Sequence, residues 1–223
     1  MKVSRRFYKW YYDRIGSVYY NLLIKFVFWP FGGETAFRRE MLDPIEFKPG
    51  EKIFEMCCGT GGATFALAQK AGADARIIAM DISDGQIAVA RKNNVFPNVQ
   101  FIQGNVTRTD YEDESFDRVM IPHAIHEMQQ SNRLKTLREA RRLLRPGGRL
   151  AVLELDDPPE LPVRLFIGLW FFYWLPFNFE TPTRREMLKC GLDNEVREAG
   201  FDDVTKTNLH RGVFQVVQGI KGR

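Results

Sequence analysis

Short apolar runs alternate with amphipathic stretches through the middle of the chain, and this alternation sets the first expectations. After Pro49-Gly50 the run Lys52-Ile53-Phe54-Glu55-Met56 reads as a strand; a Gly-rich turn follows, then residues 63–71 have helical composition and end near Gly72. The order repeats as a strand over residues 76–80, a helix over 84–93, a strand over 99–103 and a fourth strand over 116–121. A basic amphipathic helix, about 132–144, stops at Arg145-Pro146-Gly147-Gly148, a turn that feeds a strand over 149–155. A helix near 184–199 and a hairpin-like pair, 204–209 and 213–219, complete the chain. Strands alternating with helices predict an α/β fold on a mostly parallel seven-stranded sheet with an antiparallel terminal hairpin.

The flanks break this regularity. Residues 5–29 carry aromatic and aliphatic positions interrupted by Asp13, Asn21 and Lys25, which predicts one or two amphipathic helices before Pro30 and the Gly32-Gly33 turn; another helix is expected over 34–42. Between Leu165 and Phe179, aromatic residues fall on every side of any helix, more than one core-facing stripe requires. Four segments follow: a helical cap (1–48), an α/β core (49–157), an aromatic insertion (158–192), and a final helix and strands (193–223). The insertion is expected to form a lid with the N-terminal helices, with Trp170, Tyr173 and Trp174 as candidate substrate contacts. The alternative is that the two aromatic clusters pack on each other as an enlarged core. The greasiest stretch, 166–175, is about half of the roughly 20 residues a spanning helix needs. It suits peripheral contact with a membrane surface and not a crossing.

Composition narrows the function classes. The 223 residues, 44% of them hydrophobic, suffice for one domain with a substantial core. A net charge of +4, spread along the chain and not gathered in a stripe, argues against nucleic acid as a partner. Cys57, Cys58 and Cys190 are an odd number without a CxxC pair, which suggests neither a disulfide framework nor a zinc site; no metal is expected. Reduced thiols and the lack of an apolar signal core after the basic start imply a cytoplasmic protein. A monomer or a homodimer is expected.

The strongest chemical signal is Glu55-Met56-Cys57-Cys58-Gly59-Thr60-Gly61-Gly62. Glycines after a strand let the backbone turn tightly and let a ligand approach main-chain atoms. Alone the pattern is weak, but Asp81 ends the next strand about 20 residues later, where a carboxylate accepts hydrogen bonds from ribose hydroxyls. Phe65 stands where a dinucleotide loop needs its third glycine, so one nucleoside without a pyrophosphate fits better than NAD.

With these residues the sequence resembles the class I S-adenosylmethionine-dependent methyltransferases over residues 50–155, and the resemblance implies their Rossmann-like fold. It implies that the methionine part of the cofactor lies against Glu55, Cys57, Gly59 and Gly61, that Asp81 holds the ribose, and that Ile82 packs on the adenine. Gly104-Asn105-Val106 stands where an adenine-contacting acidic residue usually sits, and Asn105 would accept from the adenine amino group through its carbonyl. Gly62 replaces a polar residue common in the family. No metal is implied, and S-adenosylhomocysteine is the product.

A narrower likeness spans nearly the whole chain. Tyr12-Asp13-Arg14-Ile15, Ser115-Phe116-Asp117, the run from Leu143 through Pro146-Gly147-Gly148 to Leu150, Leu153-Glu154, and Asn208-Leu209-His210-Arg211-Gly212-Val213 resemble the ubiquinone/menaquinone C-methyltransferase family. After the fourth strand that family carries an Arg-Asn pair, whereas this chain has Ala124-Ile125-His126-Glu127-Met128. Residues there border the transferred methyl group in class I enzymes, which makes His123, His126 and Glu127 the catalytic candidates, with His126 suited to take a proton near neutral pH. The acceptor implied is small and apolar or lipid-like, a quinol precursor carbon first. A phospholipid amine, where Glu127, Tyr173 and the tryptophans would surround a growing cation, and an inert module of the same fold are the alternatives.

Overall fold

A computed structural model describes residues 27–174 and 181–222, with the side chains of 171–174 and 181 left aside. Helices expected over 5–29 therefore lie almost entirely outside the described residues. Seven strands form one sheet: β1 (Lys52–Met56), β2 (Arg76–Asp81), β3 (Val99–Gln103), β4 (Phe116–Pro122), β5 (Leu144–Leu155), β6 (Asp202–Leu209) and β7 (Phe214–Ile220), in the order β3-β2-β1-β4-β5-β7-β6. The five strands from β3 to β5 are parallel, and β7 pairs antiparallel with both β5 and β6, as the sequence pattern predicts.

The helices are α1 (Glu34–Leu42), α2 (Gly62–Ala71), α3 (Asp84–Asn93), α4 (Gln130–Leu143), α5 (Leu161–Trp174), α6 (Thr181–Cys190) and α7 (Leu192–Glu198). Successive strand residues point to opposite faces, so one strand feeds two cores. Ile53, Met120, Ala151, Leu153 and Val216 pack with Phe37, Met41 and Leu67 under α1, α2 and α3. Phe54, Met56, Val119, Ile121, Val152 and Val217 pack with Leu137, Met187 and Val196 under α4, α6 and α7. Burial on both faces is why β1 and β4 read as continuous apolar runs.

Two boundaries differ from the sequence expectation. The strand expected to begin at 149 starts at Leu144, which pairs with Phe116 before the ladder slips and resumes at Arg118 against Arg149. Residues 145–148 are thus an irregularity inside β5, with Gly147 at φ 77°, and not a turn that precedes it. The single helix expected near 184–199 is two helices, because Gly191 takes φ 81° and its amide closes α6 on the Met187 carbonyl at 2.9 Å.

Candidate functional site

The sheet order places the site. From β1 the chain turns to α2 on one face and from β4 to α4 on the other, so a crevice opens between their C-terminal ends. The glycine loop, Asp81, Asn105 and the segment after β4 all stand at this edge.

The loop after β1 holds three residues in the left-handed region: Cys57 (φ 62°), Gly59 (φ 56°) and Gly61 (φ 87°). For Cys57 that conformation costs about 1–3 kcal/mol, a strain that clusters at binding sites. A Cβ on Gly61 would stand 2.9 Å from Phe65 and 3.1 Å from Phe101, so glycine lets α2 start hard against the sheet. The Cys57 and Cys58 thiols are pushed up well above their usual pKa by burial, reinforced by Glu55 and Asp81, and stay protonated.

Asp81 ties three loops together. Its Oδ2 accepts from the Gly59 amide and its Oδ1 from the Ser83 amide, both at 2.9 Å, and its carbonyl accepts from Gly104 at 2.9 Å. Half-buried Ile82 follows. Gly104 lies against Met80, and Val106 is buried beneath. The Asn105 carbonyl oxygen accepts from the Thr107 amide at 3.2 Å and the Thr107 hydroxyl at 3.0 Å. Both bonds fall on the carbonyl oxygen, so the amide nitrogen is the polar group of this side chain that Thr107 does not engage.

Glu55 is the penultimate residue of β1 and faces the same side as Ile53. It is buried, and neither carboxylate oxygen has a hydrogen-bond partner. Burial pushes its pKa up to about 7, while the neighbouring Thr64 hydroxyl and the Arg38 charge pull downward. Arg38, Met41, Leu67, Met120 and His123 complete the walls of a cavity of about 10 Å³ beside it. An unpartnered buried carboxylate costs stability and has no use in the fold itself.

Beyond β4 the three candidate residues separate. His123 is packed between Phe37 (5.3 Å between ring centres) and Phe214 (5.9 Å), and burial takes its pKa down to about 3, so the ring is neutral. His126 sits in a 3-10 turn, Ile125–Glu127, with Nδ1 2.7 Å from Glu154 Oε1. The His126 amide donates to Glu154 Oε2 at 3.3 Å, and the Leu155 amide to Oε1 at 2.6 Å. Burial works to raise the Glu154 pKa, but His126 and the Leu155 amide outweigh it and hold the carboxyl ionised, below its usual range. Glu127 is half-buried in the same turn. Arg133, fully buried, pins the end of that turn through Met128 O at 2.7 Å and grips Glu195 with two bonds of 2.8 and 2.7 Å.

Trp170 donates its Nε1–H to the Val27 carbonyl at 3.2 Å and stacks on Phe166 and Trp29, fastening α5 to the segment before α1. The Tyr173 and Trp174 side chains lie outside the described residues. Sequence reasoning did not assign roles to Glu154, Arg38, Thr64 and Arg133. The available signal for Glu154 is one charge inside the apolar run 150–155. Among the described residues no cluster could hold a metal ion, and no helix is long and apolar enough to cross a membrane.

A methyltransferase domain family matches residues 53–148, from β1 into the irregular start of β5. An uncharacterized methyltransferase of Synechocystis is 30% identical over 191 residues, 84% of each chain. The ubiquinone/menaquinone biosynthesis C-methyltransferase UbiE of Cronobacter sakazakii is 24% identical, over 94% of this chain and 91% of its own. Phosphoethanolamine N-methyltransferase 2 of Haemonchus contortus, solved with S-adenosyl-L-methionine, superposes with a TM-score of 0.65 at 14% identity, over 100% of this chain and 61% of that one, which shows the fold alone. The chain belongs to the class I methyltransferases that use S-adenosylmethionine as methyl donor, and within them it is similar to the ubiquinone/menaquinone C-methyltransferases.

Proposed function

We propose that this methyltransferase methylates a carbon of a small, apolar or lipid-like acceptor, a quinol precursor, in the crevice between the glycine loop and the His126 turn. The buried His126–Glu154 pair, 2.7 Å apart beside the C-terminal end of β4, carries the reading. The names of the full-length relatives, which make ubiquinone and menaquinone precursors the first acceptors to try, support it.

The cofactor sulfonium supplies an already activated methyl group, so the chain has to align, orient and take up a proton. Asp81, fixed by the Gly59 and Ser83 amides, receives the ribose hydroxyls. Asn105 would donate from its amide nitrogen to an adenine ring nitrogen, with Ile82 and Val106 as the apolar neighbours of the base. Cys57, Gly59 and Gly61 shape the backbone around the methionine part, and Glu55 receives its ammonium, which fits a buried carboxylate without a partner. A neutral His126 that donates from Nδ1 to Glu154 carries its lone pair on Nε2. Nε2 would take the quinol hydroxyl proton as the ring carbon accepts the methyl group from the sulfonium; the ring C–H proton would then pass to water as aromaticity returns, and the imidazolium would hand its proton back to the quinol oxygen. Glu154 stabilises the imidazolium formed.

The acceptor's apolar part meets α5, which exposes Leu161, Leu165, Phe166 and Leu169 with Trp29 beside them. This face, together with Trp170, suits a lipid tail or a membrane surface.

Calorimetry with S-adenosylhomocysteine and transfer of labelled methyl to demethylmenaquinol test the division of roles. Asp81→Ala weakens binding by about tenfold or more through lost charge-assisted hydrogen bonds. His126→Ala keeps the affinity and slows transfer by about 10²-fold. Equal loss of binding in both variants overturns the assignment. Transfer to phosphatidylethanolamine instead of the quinol moves the acceptor to an amine, with Glu127 as its neighbour.

A further inference from the structure

Gly62, where the family commonly has a polar residue, lies directly beneath an ion pair of α1. A Cβ there would stand 2.7 Å from Glu34 Oε1 and 2.9 Å from both Nε and Nη2 of Arg38. Arg38 Nε donates to Glu34 at 2.9 Å, four residues earlier on the same helix, and the guanidinium stands 5.8 Å from the Phe28 ring centre. The Arg38 side chain is only 12% exposed, and among the described residues its two Nη groups make no hydrogen bond. A largely buried guanidinium with idle donors is costly unless something is meant to meet it.

Across the small cavity from Arg38 stands Glu55, buried, with both carboxylate oxygens unpartnered. The guanidinium and the carboxyl group share one cavity but do not form an ion pair with each other. Together they match a zwitterion, with a carboxylate for the guanidinium and an ammonium for Glu55.

We propose that Arg38, oriented by Glu34, is the anchor for the α-carboxylate of the cofactor's amino-acid end, and that Gly62 is glycine so that the guanidinium can lie over the start of α2. The inference rests on the assignment of the glycine loop and Glu55 to the cofactor. The cavity of about 10 Å³ has room for roughly one water molecule. The amino-acid end therefore enters with a swing of the long Arg38 side chain, which is held by its ion pair to Glu34 and the Phe28 ring.

Calorimetry on the full chain with two ligands isolates this contact: S-adenosylhomocysteine, and 5′-methylthioadenosine, which has the same nucleoside and thioether but no amino-acid end. Loss of a hydrogen-bonded charge contact predicts that Arg38→Met weakens S-adenosylhomocysteine by roughly 10- to 100-fold. Methylthioadenosine binding stays within about twofold, which also reports an intact nucleoside site, and Arg38→Lys recovers part of the loss because the charge returns without the fork. Unchanged S-adenosylhomocysteine affinity in Arg38→Met overturns the proposal, as does an equal loss for both ligands. Wild-type protein that binds both ligands equally well also overturns it while leaving the nucleoside site standing. Wild-type protein that binds neither overturns the site assignment beneath it.

Discussion

At the scale of single residues, Glu55 couples the site to pH. Its pKa rises from 4.5 to about 7 in the folded protein, chiefly by burial, so between these values the native state holds a proton that the unfolded chain has released. Stability therefore falls as pH rises through this window, by about 3 kcal/mol at most from this one group. Glu55→Gln is expected to be the more stable protein at pH 8 and nearly equal to wild type at pH 4.5, as urea denaturation at the two pH values would show. A stability difference independent of pH would mean that Glu55 is already compensated. Saturating S-adenosylhomocysteine should shrink the difference, since an ammonium beside Glu55 restores its ionised form. The meeting of Asp81 with the glycine loop was legible in the sequence because a glycine loop and an acid one strand later have a fixed spacing. Glu154 and Arg38 were not, because their meaning lies in contacts across the fold: His126 meets Glu154 28 residues away, and Arg38 meets the cofactor loop only once α1 has docked.

At the scale of elements, Arg133 decides how firmly the His126 turn is held. One guanidinium on α4 bonds the carbonyl that ends the turn, the Glu195 carboxylate of α7 and the Glu186 carboxylate of α6, the last at 3.2 Å. Arg133→Met leaves Glu195 buried without its partner, a loss of about 3–5 kcal/mol. Chemical denaturation checks the figure, and a loss below about 1 kcal/mol would mean that Glu195 finds water or another donor. The break between α6 and α7 makes this grip possible by turning Glu195 toward α4. The sequence hid that break because apolar positions at Leu188, Leu192 and Val196 keep a four-residue spacing straight through Gly191. The seven strands, by contrast, were legible from apolar runs and turn residues, with the start of β5 well displaced and the start of β6 earlier, at Asp202.

At the scale of the whole molecule, the two faces of the sheet are covered, and among the described residues most of the large exposed apolar side chains lie on α5. Leu165 is 58% and Leu169 70% exposed. Replacing both by Asp is expected to lower sedimentation with phosphatidylglycerol vesicles by at least about tenfold, given the transfer energy of two leucines. Affinity for S-adenosylhomocysteine should be unchanged, and undiminished sedimentation would assign that face to something other than lipid.

The sheet order also governs when the site comes into being. The strands of the cofactor half, β1 to β3, follow one another closely along the chain, but the other edge of β1 waits for β4; the Lys52 amide meets Asp117 across 65 residues. A nascent chain that has left the ribosome only as far as β3 carries the glycine loop, Glu55 and Asp81, yet has no wall opposite them. Joining distant strands is slow because a large loop must close before any contact rewards it. The wall opposite the glycine loop thus arrives during synthesis only with β4, and a ligand that needs both walls would favour the closed ladder over the open half.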